Sequence, residues 1–174
     1  MYKGKGDKRD PSNYRPIAIV NVFAKVLGHV INSRLERHVE SNDPPLLSHG
    51  QCGFRKKRCL EDAVFMVTET ARVRMADTSG RTGARYTYVA FLDIKGAFDT
   101  VCHEALLVEL WRLRVRGRLW LLIRAWLRGT TRRVRIGRST SQDYHPSCGV
   151  PQGEVASPLL YELFEDMLAK HVAV

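Results

Sequence analysis

FLDIKGAFDT at residues 91–100 and GVPQGEVASPLL at residues 149–160 decide how this chain is read. In the first stretch, the apolar run from Val89 to Leu92 predicts a largely buried strand over 86–94, with Asp93 delivered near its end. Past it, Gly96 and Ala97 let the chain leave the strand before Asp99. In the second, Gly149, Pro151 and Gly153 frame Val150 and Gln152 in a defined turn. Ser157 and Pro158 then have the chemistry of a helix cap and a first helical residue. A hard carboxylate on a rigid strand end suits a divalent ion held beside phosphate. A glutamine presented on a turn offers donor and acceptor together to a base or sugar. Each stretch alone has an ordinary reading too: Asp93 and Asp99 as solvated turn residues, Asp99 as a helix cap, or a plain glycine–proline turn. Jointly they point to metal-assisted nucleotidyl transfer.

Working outward, apolar residues at Phe23, Val26, Leu27, Val30, Ile31, Leu35 and Val39 recur every three or four positions and predict a helix that residues 41–45 end. A second helix is predicted over 60–75, with Leu60, Ala63, Val64, Val67 and Ala71 on one face. Two more are predicted over 103–113 and 118–127, the latter striped by Leu119, Leu122, Ile123 and Trp126. Trp111, Trp120 and Trp126 are expected to fill the core of that helical pair. The helix after Ser157 presents Leu159, Leu160, Leu163, Phe164, Met167 and Leu168, with Glu154 a favourable first-turn acid at its start. Residues 131–137 alternate as an edge strand, Val134 and Ile136 facing one way and Arg133 and Arg135 the other. Residues 1–16 read as a loop and 77–85 as a polar linker.

Lysine and arginine outnumber the acids 28 to 18, a formal charge of +10 that favours a polyanionic partner. The cations cluster at Lys3, Lys5, Lys8, Arg9 and Arg15, at Arg55, Lys56, Lys57 and Arg58, and from Arg112 to Arg138. Cys52, Cys59, Cys102 and Cys148 have neither disulfide-framework nor zinc-ligand spacing and are expected as scattered buried or half-buried thiols. The six histidines share no triad or ligand spacing, and no phosphate loop or dinucleotide fingerprint occurs. No apolar stretch has membrane-spanning length, so no membrane partner and an intracellular location are expected.

With these residues in view, the chain resembles the reverse transcriptase domain of non-LTR, LINE-like retrotransposons. Four stretches carry the likeness in order: KGKGDKRDPSNYRPIAIVN at 3–21, GFRKKR at 53–58, FLDIKGAFDTV at 91–101 and GVPQGEVASPLL at 149–160. The resemblance implies an α+β right-hand polymerase fold, with fingers over about 1–85 and a partial palm with a helical insertion over about 86–174. It implies that Asp93 binds two Mg2+ ions, with Mn2+ as an alternative, helped by the main-chain carbonyl of Ile94. Phe98 would stand at the position that excludes a ribose 2′-hydroxyl, and Gln152 would line the nucleotide and template. Lys3 or Lys5 and Arg15 are implied triphosphate contacts, and Asp99, Gly149, Pro151 and Gly153 are implied supports. Arg55, Lys56, Lys57 and Arg58 would contact nucleic acid.

The implied reaction is attack of a primer 3′-hydroxyl on a deoxynucleoside triphosphate over an RNA template, in the nucleus or cytoplasm within a retroelement particle. The family's remaining metal carboxylates come from a Tyr/Phe-x-Asp-Asp hairpin, and no two adjacent aspartates occur in this sequence. Glu165 and Asp166 lie on a predicted helix at the wrong point in the order. The expectation is therefore a polymerase segment truncated before that motif and inactive alone, with a non-catalytic nucleic-acid-binding protein of the same fold as the alternative.

Overall fold

The computed structural model describes residues 1–42, 44–76 and 87–172. The expected linker at 77–85 and Tyr86 lie outside the described residues. The regular elements run in the order 3-10 turn Pro11–Asn13, α1 (Val22–Glu40), α2 (Leu60–Ala76), α3 (His103–Arg112), α4 (Gly117–Gly129), β1 (Arg135–Ile136), β2 (Ser139–Thr140) and α5 (Ser157–Val172). The class is mixed helix and strand, as expected. The chain divides into two compact units, Met1–Leu47 with Gly96–Val174, and Ser48–Lys95.

The larger unit holds the core. Asn21 caps α1 by accepting from the Ala24 amide at 2.8 Å, which satisfies one of the amides that a helix start leaves open. Further along α1, Ile31, Leu35 and Val39 are buried in one core with Leu106, Leu107 and Leu110 of α3, Ile123 and Leu127 of α4 and Leu160 and Leu163 of α5. Each such side chain fully withdrawn from water contributes about 1.5–3 kcal/mol. α3 and α4 are further tied by the Trp120 indole, which donates to the Leu107 carbonyl at 3.0 Å, and by Arg128 with Glu104 at 2.6 Å. The sharp link between them places Arg114 and Gly117 in the left-handed region, at φ of 65° and 62°.

Several expectations are corrected. α1 turns only part of its apolar stripe inward: Phe23 is 86% exposed, and Val26 and Val30 are also exposed. α2 forms where periodicity placed it, with Asp62 accepting from the Cys59 amide at 2.9 Å, yet none of its residues is buried. Residues 87–94 form no strand. Among the described residues no neighbour pairs with this segment, and Tyr88, Phe91 and Leu92 are 91%, 92% and 84% exposed. A strand pattern becomes a strand only when its amides and carbonyls find a ladder. The 131–137 strand shrinks to the two-residue β1 and an isolated bridge between Arg132 and Tyr144, with Val134 and Ile136 exposed. Ser157 is the first residue of α5, and its buried hydroxyl makes no capping hydrogen bond. Of the thiols only Cys52 is buried; Cys59, Cys102 and Cys148 are exposed and free. Trp111 is half exposed rather than core-filling, while Trp120 and Trp126 pack on the core edge.

Candidate functional site

In the larger unit, the C-terminal part of the first stretch and the residues just after it meet the second stretch. Cys102 and Cys148 form an antiparallel bridge, the Gly149 amide donates to the Val101 carbonyl at 2.8 Å, and the Val150 amide donates to the Phe98 carbonyl at 2.8 Å. Gly149 has φ +85°, and a Cβ there would lie 2.9 Å from the Asp99 carbonyl oxygen. Glycine is therefore required at this crossing for both conformation and space. The Gly149 carbonyl is held from the other side by His103 Nε2 at 2.9 Å and Arg132 Nη2 at 3.2 Å. Neither His103 nor Arg132 stood out in the sequence, because both act on main-chain carbonyls and so leave no ligand spacing to find.

On this support Phe98 is half-buried and stacks on Tyr161 of α5, with ring centroids 4.9 Å apart and planes 19° from parallel. Asp99 is exposed, in a turn closed by its own amide on the Gly96 carbonyl at 2.8 Å. Half-buried Gln152 accepts at its carbonyl from the Ala18 amide at 2.7 Å, and Pro151 is half-buried before it. Gly153 follows at φ +103°, where a Cβ would meet the Ala18 carbonyl oxygen at 3.3 Å. The turn thus docks on the segment between the N-terminal loop and α1.

Glu154, expected as a favourable first-turn acid, instead lies ahead of α5 and is buried. It is only 3% exposed, and neither carboxyl oxygen has a hydrogen-bond partner among the described residues. Burial pushes its pKa above the usual glutamate value. The Val155 amide, which forms no aligned hydrogen bond with it, opposes the shift, as do the positive charges of Lys25 and His29. Lys25, Gly28 and His29 share one face of α1, and the missing side chain of Gly28 is what leaves room for the carboxyl.

The N-terminal cations sit on a closed loop. The Lys3 and Arg15 amides donate to the Asn13 and Met1 carbonyls, and Tyr2 lies against Tyr14 with centroids 5.5 Å apart. The Lys3 ammonium donates to the Ser12 carbonyl at 2.7 Å, whereas Lys5 and Arg15 project as exposed side chains.

In the smaller unit, Arg55 is buried and donates to the Ser48 and Gln51 carbonyls at 3.0 and 3.2 Å, so its guanidinium braces the 48–58 turn. Half-buried Arg58 donates to the His49 carbonyl at 2.9 Å, and Lys56 and Lys57 are exposed. Asp93 and Ile94 are exposed in the unpaired 87–94 segment. Among the described residues no group of three or more His, Cys, Asp or Glu could hold a metal ion. One exposed carboxylate with one carbonyl does not fit the ligand set of a two-ion centre. Asp166, buried in α5, pairs with Lys170 at 2.6 Å.

A family profile described as reverse transcriptase (RNA-dependent DNA polymerase) matches residues 5–174. The chain is 30% identical over 167 residues to an RNA-directed DNA polymerase from the mobile element jockey of Drosophila melanogaster, covering 95% of the chain and 17% of the relative. It is 31% identical over 167 residues to a 115 kDa protein of the type-1 retrotransposable element R1DM of the same fly, covering 95% and 15%. It is 32% identical over 166 residues to a retrovirus-related Pol polyprotein from the type-1 retrotransposable element R2 of Popillia japonica, covering 94% and 21%. The chain therefore spans between 15% and 21% of the length of these curated relatives. It belongs to the reverse transcriptase family and is related to the Pol proteins of non-LTR retrotransposons, without an evident catalytic metal cluster among its described residues.

Proposed function

We propose that this chain is the fingers and first part of the palm of an RNA-directed DNA polymerase, and that it does not polymerise alone. The observation that carries this reading is the crossing of residues 98–102 with 148–150, which joins the two motif stretches through Gly149. Asp93, with the Ile94 carbonyl, contributes one carboxylate to a magnesium centre whose other ligands come from outside the described residues. Phe98, braced by Tyr161, excludes a 2′-hydroxyl, and Gln152 faces the nucleotide and template. Lys5 and Arg15 are the better placed triphosphate contacts, because the Lys3 ammonium is engaged by the Ser12 carbonyl. Lys56 and Lys57 meet the template–primer backbone, RNA and DNA. The setting is a retroelement particle in nucleus or cytoplasm, and no described helix is long and apolar enough to cross a membrane.

Primer extension on RNA with Mg2+ and deoxynucleoside triphosphates tests the reading. The 174-residue chain is expected to give no product, the complete reading frame to give product, and Asp93→Ala in that frame to abolish it. Extension that survives Asp93→Ala sinks the assignment.

The lack of a metal cluster among the described residues favours one second reading, a non-catalytic nucleic-acid-binding protein on the same fold. It predicts that nucleotide binding by the complete protein is indifferent to Mg2+ and to Asp93→Ala.

A further inference from the structure

α3 and α4 border a groove of about 470 Å³ on the larger unit, lined among others by Leu107, Trp111, Arg112, Trp120, Arg124 and Arg128. Trp111 is 49% exposed and meets Trp120 edge-on at 5.5 Å. The Arg116 guanidinium lies 3.6 Å from the centre of the Trp111 ring and donates to the Trp111 carbonyl, and Arg124 lies 5.6 Å from the centre of Trp120. From His103 to Gly129 the sequence holds six arginines, two glutamates and no lysine. Glu104 pairs with Arg128 at 2.6 Å, and Glu109 is buried beside Arg112 at 3.8 Å, so the surface that remains is cationic.

We infer that this groove, none of whose lining residues belongs to the Gly149–Gly153 turn, binds single-stranded RNA. Two features select that occupant. A row of arginines complements a phosphate backbone, and planar guanidinium and indole surfaces accept the faces of unstacked bases, which a duplex hides. An acidic peptide would satisfy the charge but leave the exposed indole unused. That the strand is RNA rather than DNA rests on the polymerase reading, in which RNA is the template. The groove adds a contact for a strand segment outside the nucleotide site.

The experiment uses the whole chain and a labelled oligouridine of about 20 nucleotides, with binding followed by anisotropy at about 50 and about 200 mM salt. Trp111→Ala is expected to weaken binding about tenfold and Trp111→Phe about twofold, because an aromatic face restores stacking. Arg124→Gln should lower the slope of log affinity against log salt by about one. Trp111→Phe also guards against misfolding, since it keeps a ring against Trp120 and should unfold cooperatively like the parent chain. Wild-type affinity in both Trp111→Ala and Arg124→Gln overturns the proposal. So does displacement of the RNA by polyglutamate at equal charge, which would make an acidic protein the occupant, or tighter binding of the matching DNA oligonucleotide. These outcomes are separable from the polymerase reading, whose test is Asp93→Ala in the extension assay.

Discussion

Gly28 of α1 and Glu154, the residue after the Gly149–Gly153 turn, fit together by absence: a Cβ on Gly28 would lie 2.7 Å from Glu154 Oε2. The carboxyl cannot swing away without moving a side chain that is almost wholly buried. Gly28→Ala should therefore destabilise the chain, although alanine in a helix is ordinarily better than glycine by about 1 kcal/mol. In a Glu154→Ala background the clash is gone, and the same substitution should stabilise by about 1 kcal/mol. Urea unfolding of the four members of this double-mutant cycle checks it, and additive effects would contradict the contact.

Glu154 also makes a statement about pH. Its folded pKa is raised by burial, with Lys25 and His29 the charged groups facing it from α1. The folded chain thus holds this proton more tightly than the unfolded chain does. Stability is intact below the unfolded glutamate pKa and is lost as pH rises toward the folded value. Glu154→Gln should remove that slope, leaving the variant more stable than the parent near pH 7 and level with it near pH 4. Denaturant midpoints at the two pH values decide the matter.

Cys102 and Cys148 face each other as an antiparallel bridge flanked by the Gly149 amide on the Val101 carbonyl, and both thiols are exposed and free. Such non-hydrogen-bonded positions bring Cα atoms to about 4.5 Å, within disulfide range. Oxidised glutathione should convert the two thiols to one disulfide, releasing two molecules of glutathione. Closing a loop of roughly 45 residues should raise stability by up to about 4 kcal/mol. Mass spectrometry of the non-reduced peptides, with Cys148→Ser as control, reports the bond.

The buried His103 imidazole, protonated at Nε2, supports the Gly149 carbonyl at 2.9 Å. His103→Ala should cost about 2 kcal/mol through the lost hydrogen bond and the space left behind. Hydrogen exchange at the Val150 amide, which bonds to the Phe98 carbonyl, should accelerate in step. Unchanged exchange there would mean that the turn is held without His103.

Tyr88, Phe91 and Leu92 offer apolar surface on an unpaired backbone. The chain alone should bind an environment-sensitive naphthalene dye and aggregate as concentration rises, with Phe91→Ser reducing both. Dye binding that ignores this substitution would place the sticky surface elsewhere.

How much of this was legible beforehand varies by element. Helices α1, α3, α4 and α5 followed from apolar residues three and four apart, and their bounds shift by a residue or two, as helix ends do. α2 was equally legible as a helix, but its apolar face stays exposed, because period reports which side could be buried and not whether anything covers it. The candidate site was legible as a pair of motifs. Its supports, His103, Arg132 and the Gly28–Glu154 fit, were not.

The sequence by itself determined the family, through the order and spacing of four motif stretches, together with the helices and the cationic character. Tertiary structure decided which of those residues meet. It set residues 98–102 against 148–150, turned the Arg55 guanidinium onto main-chain carbonyls, and buried Glu154, expected as a favourable acid at a helix start. It also left 87–94 without a ladder. Periodicity is a local property of the backbone. Burial, strand pairing and the environment of a carboxyl depend instead on neighbours tens of residues away, which no local pattern names.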